Sequence, residues 1–317
     1  MDMSSIAETI TKFGLPEKIR QRLSQRPACA DAAAELYALS RQLESDDLRI
    51  FAAACSEGVA ACEGTAENPV AEAEALVRAA RLHMEEEKET YKLSLPTTWD
   101  SLYFAIDNIN KATDIYENLG ATHLAVTTLL ELARVMLKLA RPHDAIQTFL
   151  KALDLNKAQN GTRERLVILR SLADAYIQAS CLVDALNTYE EICVLAGFLK
   201  TAPGKLPGYY HKLAQKCETR QILLLLITEP TPKKMSHYHS LMFSYFTDPR
   251  ASVDGHSYVS FLDLVGLLRM KDFVLAIQQK DFPRVLDASE KLYPLLDETE
   301  TALADFLVDR TPHHSGY

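Results

Sequence analysis

The sequence predicts an all-α fold, a tetratricopeptide-like α-solenoid of antiparallel helical hairpins, and two observations favour this class. First, apolar residues between positions 99 and 197 recur with a constant offset of 40 positions. Second, helix breakers are scarce: the 317 residues include 11 glycines, and no proline occurs from 97 to 141 or from 143 to 202. Glycine ends helices and proline interrupts them, and strand-rich chains normally contain more of both.

The repeat contains two apolar stripes in each unit. The first unit carries Leu129, Leu132, Ala133, Met136, Ala145, Phe149 and Ala152, and a half-match one period upstream carries Ala105, Ile109 and Ala112. The second unit carries Leu169, Leu172, Ala173, Tyr176, Ala185, Tyr189 and Ile192. Spacings of three and four place each stripe on one helix face, in the order of the tetratricopeptide pattern. The competing interpretation is an unrelated helical bundle with coincidental periodicity.

Further helices are predicted on both sides of the repeat, so that residues 1–317 form a single solenoid. Its three parts are N-terminal helices over 5–94, the repeats over 99–197, and C-terminal helices over 205–310. The individual predictions outside the repeat are helices over 5–24, 30–44, 47–62, 68–94, 209–227, 257–280, 283–295 and 297–309. Residues 228–256 are predicted to be the least regular part of the chain.

Composition limits which partners and which cellular compartment are expected. The net charge of −9 disfavours a phosphate backbone or an anionic membrane surface as a partner. The longest apolar runs, Ile50–Cys55 and Ile222–Ile227, are far shorter than the roughly 20 residues that cross a bilayer. Met1–Gly14 lacks the apolar stretch of a signal peptide, and six widely spread cysteines are typical of a reducing compartment. We therefore expect a cytoplasmic protein.

No pattern of residues indicates catalysis, a cofactor or a metal. Gly204-Lys205 lacks the serine or threonine that follows the lysine of a phosphate-binding loop, and no G-x-S-x-G or H-E-x-x-H motif occurs. His237-x-His239, with His211 and Cys217 upstream, lacks a recognisable ligand spacing, so these residues are interpreted as ordinary side chains. We expect a protein that is not an enzyme.

Two apolar features indicate a role in binding another protein. Ile222–Ile227 is apolar around the whole helix circumference, so this segment is either central to its own fold or buried against a partner. The C-terminal helices carry more apolar residues than three short helices need for packing on one edge of a solenoid. The predicted protein-binding residues are Leu264, Val265, Leu268, Phe273, Ile277, Tyr293 and Leu296.

Three further stretches, in order along the chain, carry a resemblance to a known family. They are Glu74-Ala75-Leu76 with Ala79-Ala80-Arg81-Leu82; Lys216-Cys217-Glu218 with Ile222–Ile227 and Pro230-x-Pro232-Lys233; and Leu292-Tyr293-Pro294-Leu295-Leu296. From about residue 15 to 310, the sequence resembles the family of the 40-kDa huntingtin-associated protein. It differs from vertebrate members in lacking a small-residue-rich N-terminal head and a long proline-rich insertion, whose place the short loop at 198–208 takes.

The resemblance implies a stable one-to-one complex with huntingtin, whose conformation this chain would stabilise from between the larger solenoid domains. It also implies a link to early endosomes and vesicle trafficking through a Rab GTPase, and a cytoplasmic protein with a nuclear pool. The alternative is a trafficking adaptor like the soluble NSF attachment proteins, which a basic face or an apolar N-terminal loop would favour. Because binding stabilises only the native form, we expect the chain expressed alone to aggregate or to be degraded.

Overall fold

A computed structural model describes residues 29–157, 162–197, 206–231, 233, 235–248 and 258–312, and within these ranges the chain is helical without a strand. The first eight helices are α1 Cys29–Ser45, α2 Arg49–Thr65, α3 Pro69–Lys92, α4 Asp100–Asn118, α5 Thr122–Lys138, α6 Pro142–Asn156, α7 Thr162–Gln178 and α8 Leu182–Leu195. They are followed by α9 Gly208–Thr228, α10 His237–Thr247, α11 Leu264–Gln279, α12 Phe282–Leu292, a 3₁₀ turn at Tyr293–Leu295, and α13 Glu298–Arg310. The predicted all-α fold of packed helical hairpins is confirmed, while the helix predicted over 5–24 lies outside the described residues.

The helices of the repeat end in the same way at regular intervals. Gly120, Ala140 and Ser180 each have positive φ, at 71°, 55° and 60°. At each turn the next backbone amide donates back to the last helical turn: Ala121 to Tyr116, Arg141 to Met136 and Cys181 to Tyr176, at 2.8–2.9 Å. This closure satisfies carbonyls that a helix end leaves without partners. Ala140 and Ser180 lie 40 positions apart, so the repeat extends to the turns, although two of these turns use a residue other than glycine.

The described helices group into two compact units that divide after Ser171, within α7. In unit 1, α1 to α6 pack mainly on their neighbours in sequence, and α3 also contacts α5. Fully buried alanines occupy these contacts, including Ala52, Ala79, Ala105 and Ala133. Short side chains let the helix axes approach closely, as the sequence predicted. The continuous solenoid predicted for the whole chain stays a prediction.

Unit 2 is built around α9, which packs on α8, α10 and α13. All six residues of Ile222–Ile227 are buried. Because the helices of unit 2 already surround this segment, its apolar circumference is explained by the protein's own fold, and burial against a partner is not needed. Of the two interpretations open from the sequence, the first is therefore the correct one.

Unit 2 differs from the sequence prediction at three places. Helix α10 lies inside 228–256, where its first turn is capped by Ser236, whose hydroxyl accepts a hydrogen bond from the His239 amide at 3.2 Å. Helix α11 begins at Leu264, after an irregular stretch over 258–262 that was predicted as helix. Helix α12 ends at Leu292, because Pro294 follows in the 3₁₀ turn and cannot donate to a continuing helix.

Candidate functional site

Three of the predicted binding residues form an exposed apolar row on α11. The side chains of Leu264, Val265 and Leu268 are 66%, 50% and 59% exposed. Their spacing of i, i+1 and i+4 places them on one side of the helix. We call these three residues the α11 row. Neighbouring exposed aliphatic side chains are typical of a protein-binding surface, whereas single ones are common on any protein.

The start of α11 is fixed by its N-cap. The Asp263 carboxylate accepts a hydrogen bond from the Gly266 amide at 2.9 Å, which satisfies a donor of the first turn. A Cβ atom at position 266 would lie 2.7 Å from Asp263 Oδ1, so a larger residue at this position would displace the capping carboxylate. The backbone that carries the α11 row is therefore held at its first turn.

Glu218 of α9 holds the irregular stretch that precedes α11. This carboxylate is buried, and it accepts hydrogen bonds from the Tyr258 hydroxyl at 2.9 Å and from the Phe261 amide at 2.7 Å. Burial raises the pKa of Glu218 to about 7, although hydrogen bonds from Ser260, Phe261 and Tyr258 favour the charged form. A central helix is thus linked directly to the residues that lead into the α11 row.

Arg220, two residues further along α9, links four helices. Its guanidinium contacts Asp174 of α7, and it donates hydrogen bonds to the Tyr189 hydroxyl of α8 at 2.7 Å and to Asp297 Oδ2 at 2.9 Å. Asp297 is the N-cap of α13 and forms a capping box with Glu300. Burial opposes ionisation of Asp297, but Lys216, the Glu300 amide and Arg220 outweigh it and lower the pKa to about 2.

The other four predicted binding residues are less accessible. Phe273 is fully buried in unit 2, and Ile277, Tyr293 and Leu296 are partly buried. The Tyr293 hydroxyl donates to Asp305 of α13 at 2.5 Å, which gives this side chain a structural partner. Leu296 lies in a groove of about 410 Å³ whose walls come from α9, the start of α11 and the start of α13. Of the seven residues, those of the α11 row are the exposed ones, and contact of any of the seven with a partner stays a prediction.

The buried charges of α9 had not been assigned a role from the sequence, although Glu218 belongs to one of the stretches that carry the resemblance. A signal was present: two oppositely charged residues, Glu218 and Arg220, immediately precede the run Ile222–Ile227. Charged side chains inside a fully buried helix are almost always paired. This rule predicts buried partners for both residues without identifying them.

Histidine, cysteine and acidic residues were the metal-ligand types considered from the sequence, and the structure places them as follows. No group of three such residues in the described parts of the chain could hold a metal ion. The six cysteines are free thiols, and Cys193 and Cys217 are buried. His239 is buried 3.7 Å from Glu190, and burial lowers the pKa of its imidazole. None of the described helices is long and apolar enough to span a membrane.

Comparison with known proteins identifies relatives along nearly the whole chain. No protein-family model matches the sequence. The chain is 24% identical to the 40-kDa huntingtin-associated protein of Mus musculus and to that of Rattus norvegicus, over 94% of this chain and 91% of each relative. Both comparisons extend over 357 residues, more than the 317 of this chain, so the relatives contain segments without a counterpart here. The resemblance that the sequence motifs indicate is therefore confirmed, and the chain is a relative of the 40-kDa huntingtin-associated proteins.

Proposed function

We propose that this protein is a non-enzymatic scaffold that binds huntingtin in a stable one-to-one complex and stabilises its conformation. The observation that carries the proposal is similarity over 94% of the chain to two proteins named for association with huntingtin. The aligned region extends through both compact units, so the similarity is not confined to one shared helical hairpin.

The α11 row is the contact surface that we propose for unit 2. The backbone that carries its exposed aliphatic side chains is anchored through the Asp263 cap and through Glu218, so little backbone entropy is lost when a partner covers them. Apolar contacts are weakened little by salt, in contrast to contacts between exposed charges. A complex held by this row should therefore persist at high ionic strength.

We further propose that the complex acts in vesicle trafficking on the cytoplasmic side of early endosomes, through a Rab GTPase. The support for this role is the family resemblance alone. Recruitment of the purified complex to Rab-coated beads, with the nucleotide state of the GTPase varied, tests it. Binding that is equal for the GDP and GTP forms, or absent for both, would exclude a GTPase-controlled link.

Co-expression with the same organism's huntingtin tests the main proposal. Size-exclusion chromatography at moderately high salt, with mass determination, should give one peak at one-to-one stoichiometry. Separate elution of two well-folded proteins would contradict the proposal. The similarity would then reflect shared helical architecture, and a trafficking adaptor like the soluble NSF attachment proteins would become the better interpretation.

Substitution of the α11 row tests its part in the complex. We expect Leu264→Ser with Leu268→Ser to speed dissociation of the complex at least tenfold, equivalent to ~1.4 kcal/mol of binding free energy. The matched control is Val183→Ser with Val194→Ser, since both valines are 60% exposed on α8. Biolayer interferometry of the co-purified complexes measures both rates. Equal rates for the two double variants would place the contact elsewhere.

A further inference from the structure

A second candidate surface lies in unit 1, on the outer face of α4. Asp100, Tyr103, Phe104 and Asp107 are all exposed, and their spacing of i, i+3, i+4 and i+7 places them on one side of the helix. The inner side of α4 supplies its core residues, Leu102, Ala105, Ile109, Ala112 and Tyr116. We call the four exposed residues the α4 face: two aromatic rings with a carboxylate at each end.

The aromatic rings of the α4 face are held by neighbouring helices. The Phe104 ring stacks on His83 of α3, with centroids 5.4 Å apart and planes inclined by 23°. The Arg141 guanidinium lies 5.7 Å from the centroid of the Tyr103 ring and 5.1 Å from that of Trp99. Despite these contacts, the Tyr103 and Phe104 side chains are 54% and 43% exposed. They are positioned aromatic groups with free surface, so a partner would lose little entropy in ordering them.

The backbone before α4 is constrained in the same region. Trp99 precedes the helix with φ at 63°, a left-handed conformation that is uncommon for a bulky residue. Its amide donates to the Thr97 hydroxyl at 2.9 Å, and that hydroxyl donates to the buried Glu87 of α3 at 2.5 Å. The start of α4 is therefore tied to α3 on one side and, through Arg141, to α6 on the other.

The charges on and around the α4 face favour a basic partner. Lys111 pairs with Asp107, and Arg141 pairs with Asp144 at 2.6 Å, so both nearby cations and the Asp107 carboxylate of the face already have partners. Among the described residues no cation pairs with Asp100, whose carboxylate accepts a hydrogen bond from the Thr98 hydroxyl at 2.6 Å. The excess charge at this face is therefore the Asp100 carboxylate, and it has the same sign as the net charge of −9. Such a surface repels nucleic acid and anionic lipid.

From this arrangement we infer that the α4 face binds a segment of the protein partner that presents arginine beside an aliphatic residue. A guanidinium stacks on aromatic ring faces, as Arg141 does here, and it also pairs with carboxylates through two parallel hydrogen bonds. The aliphatic neighbour would cover the remaining ring surface. The inference rests on the proposed function, and it adds to the α11 row a contact surface in the other unit with a different chemistry.

The experiment uses the complex co-expressed with huntingtin and three double variants. We expect Tyr103→Ser with Phe104→Ser to speed dissociation about tenfold, while Asp100→Asn with Asp107→Asn speeds it less and flattens its dependence on salt. Val183→Ser with Val194→Ser is again the control and should leave the rate unchanged. A photo-crosslinking phenylalanine at position 103 should link to an arginine-containing huntingtin peptide. Fluorescence of Trp99, the single tryptophan of the chain, checks the fold of isolated soluble fusions of each variant.

The outcomes separate the two proposals. If the unaltered chain forms no complex, the proposed function fails and this inference fails with it. If the complex forms and neither α4 variant changes its dissociation rate, only the inference is overturned. A crosslink to a huntingtin segment without arginine would also overturn it, even where the rates change.

Discussion

In unit 1 the helices meet through small side chains, whereas in unit 2 they surround one long helix that carries two buried charges. Ala52, Ala105 and Ala133 are completely buried at contacts between sequence neighbours of unit 1. In unit 2, Glu218 contacts Tyr258, 40 positions away, and Arg220 contacts Asp297, 77 positions away. Unit 1 is thus held by many similar contacts, and unit 2 by a few particular ones.

This difference predicts how well each unit tolerates amino-acid substitutions. Contacts between successive hairpins are repeated, so one weakened contact leaves the others in place. A buried ion pair behaves differently, because removal of one partner leaves the other charged, buried and without compensation. Substitutions of ionic residues should therefore destabilise unit 2 much more than unit 1.

Of the substitutions that test this comparison, replacement of Arg220 has the largest expected effect. We expect Arg220→Met to lower the free energy of unfolding by about 3–5 kcal/mol, because the buried Glu300 and the partly buried Asp174 and Asp297 lose their counter-charge. The matched control is Arg81→Met in unit 1, where Arg81 binds Glu131 through Nη2 at 2.8 Å but is 55% exposed. Its expected cost is below about 1 kcal/mol. Pulse proteolysis in urea, on the full chain fused to a soluble carrier, measures the free energy of unfolding of both variants. Equal losses of stability would refute the contrast between the units.

The protonation of Glu218 gives unit 2 a second distinguishing property. Its pKa in the folded protein is about 7, above its ordinary value, so the folded state binds this proton more tightly than the unfolded state. Stability should therefore fall as pH rises from 5 to 7.5, by up to about 3 kcal/mol. Two groups act in the opposite direction. His239, whose pKa is lowered by burial, does so below about pH 6.5, and Asp297, with its lowered pKa, does so below about pH 4.

Glu218→Gln should remove most of this pH dependence, because a neutral amide can accept from the Phe261 amide and donate to the Tyr258 hydroxyl. The same urea experiment between pH 5 and 8 measures the slope for both proteins. A wild-type slope that equals the slope of the variant would show that another group controls stability in this range.

The repeat explains why helices α5 to α8, which belong to the end of unit 1 and the start of unit 2, could be predicted. The 40-residue offset predicted helices α5 to α8 together with their spacing, and Ala140 and Ser180 extend this offset to the turns. Periodicity works here because each contact involves neighbours in sequence, so local spacing contains the packing information. Ala140 could not be predicted as a helix end from its residue type, since the left-handed conformation there is imposed by the closing hydrogen bonds.

The part of unit 2 after α8 was less predictable because its contacts are distant in sequence. The stretch 258–262 remains irregular since Glu218, about 40 positions earlier, binds its Tyr258 hydroxyl and Phe261 amide. Prediction of the candidate surface is limited in the same way, by contacts that local spacing does not reveal. Spacing alone does not separate Leu268, which is exposed, from Phe273, which is completely buried, because the difference depends on which side of α11 faces the rest of the unit.

The smallest expected effect concerns the close helix contacts of unit 1. The Ser40 hydroxyl donates to the Ala52 carbonyl at 2.9 Å across the contact between α1 and α2, so the two helices leave little space beside Ala52. We expect Ala52→Leu to cost about 1–3 kcal/mol through overpacking, even though leucine is a good helix former. Ala34→Leu on the exposed side of α1 is the matched control and should change stability by less than about 0.5 kcal/mol. If Ala52→Leu were also neutral in the urea experiment, close approach through small residues would not be what holds unit 1 together.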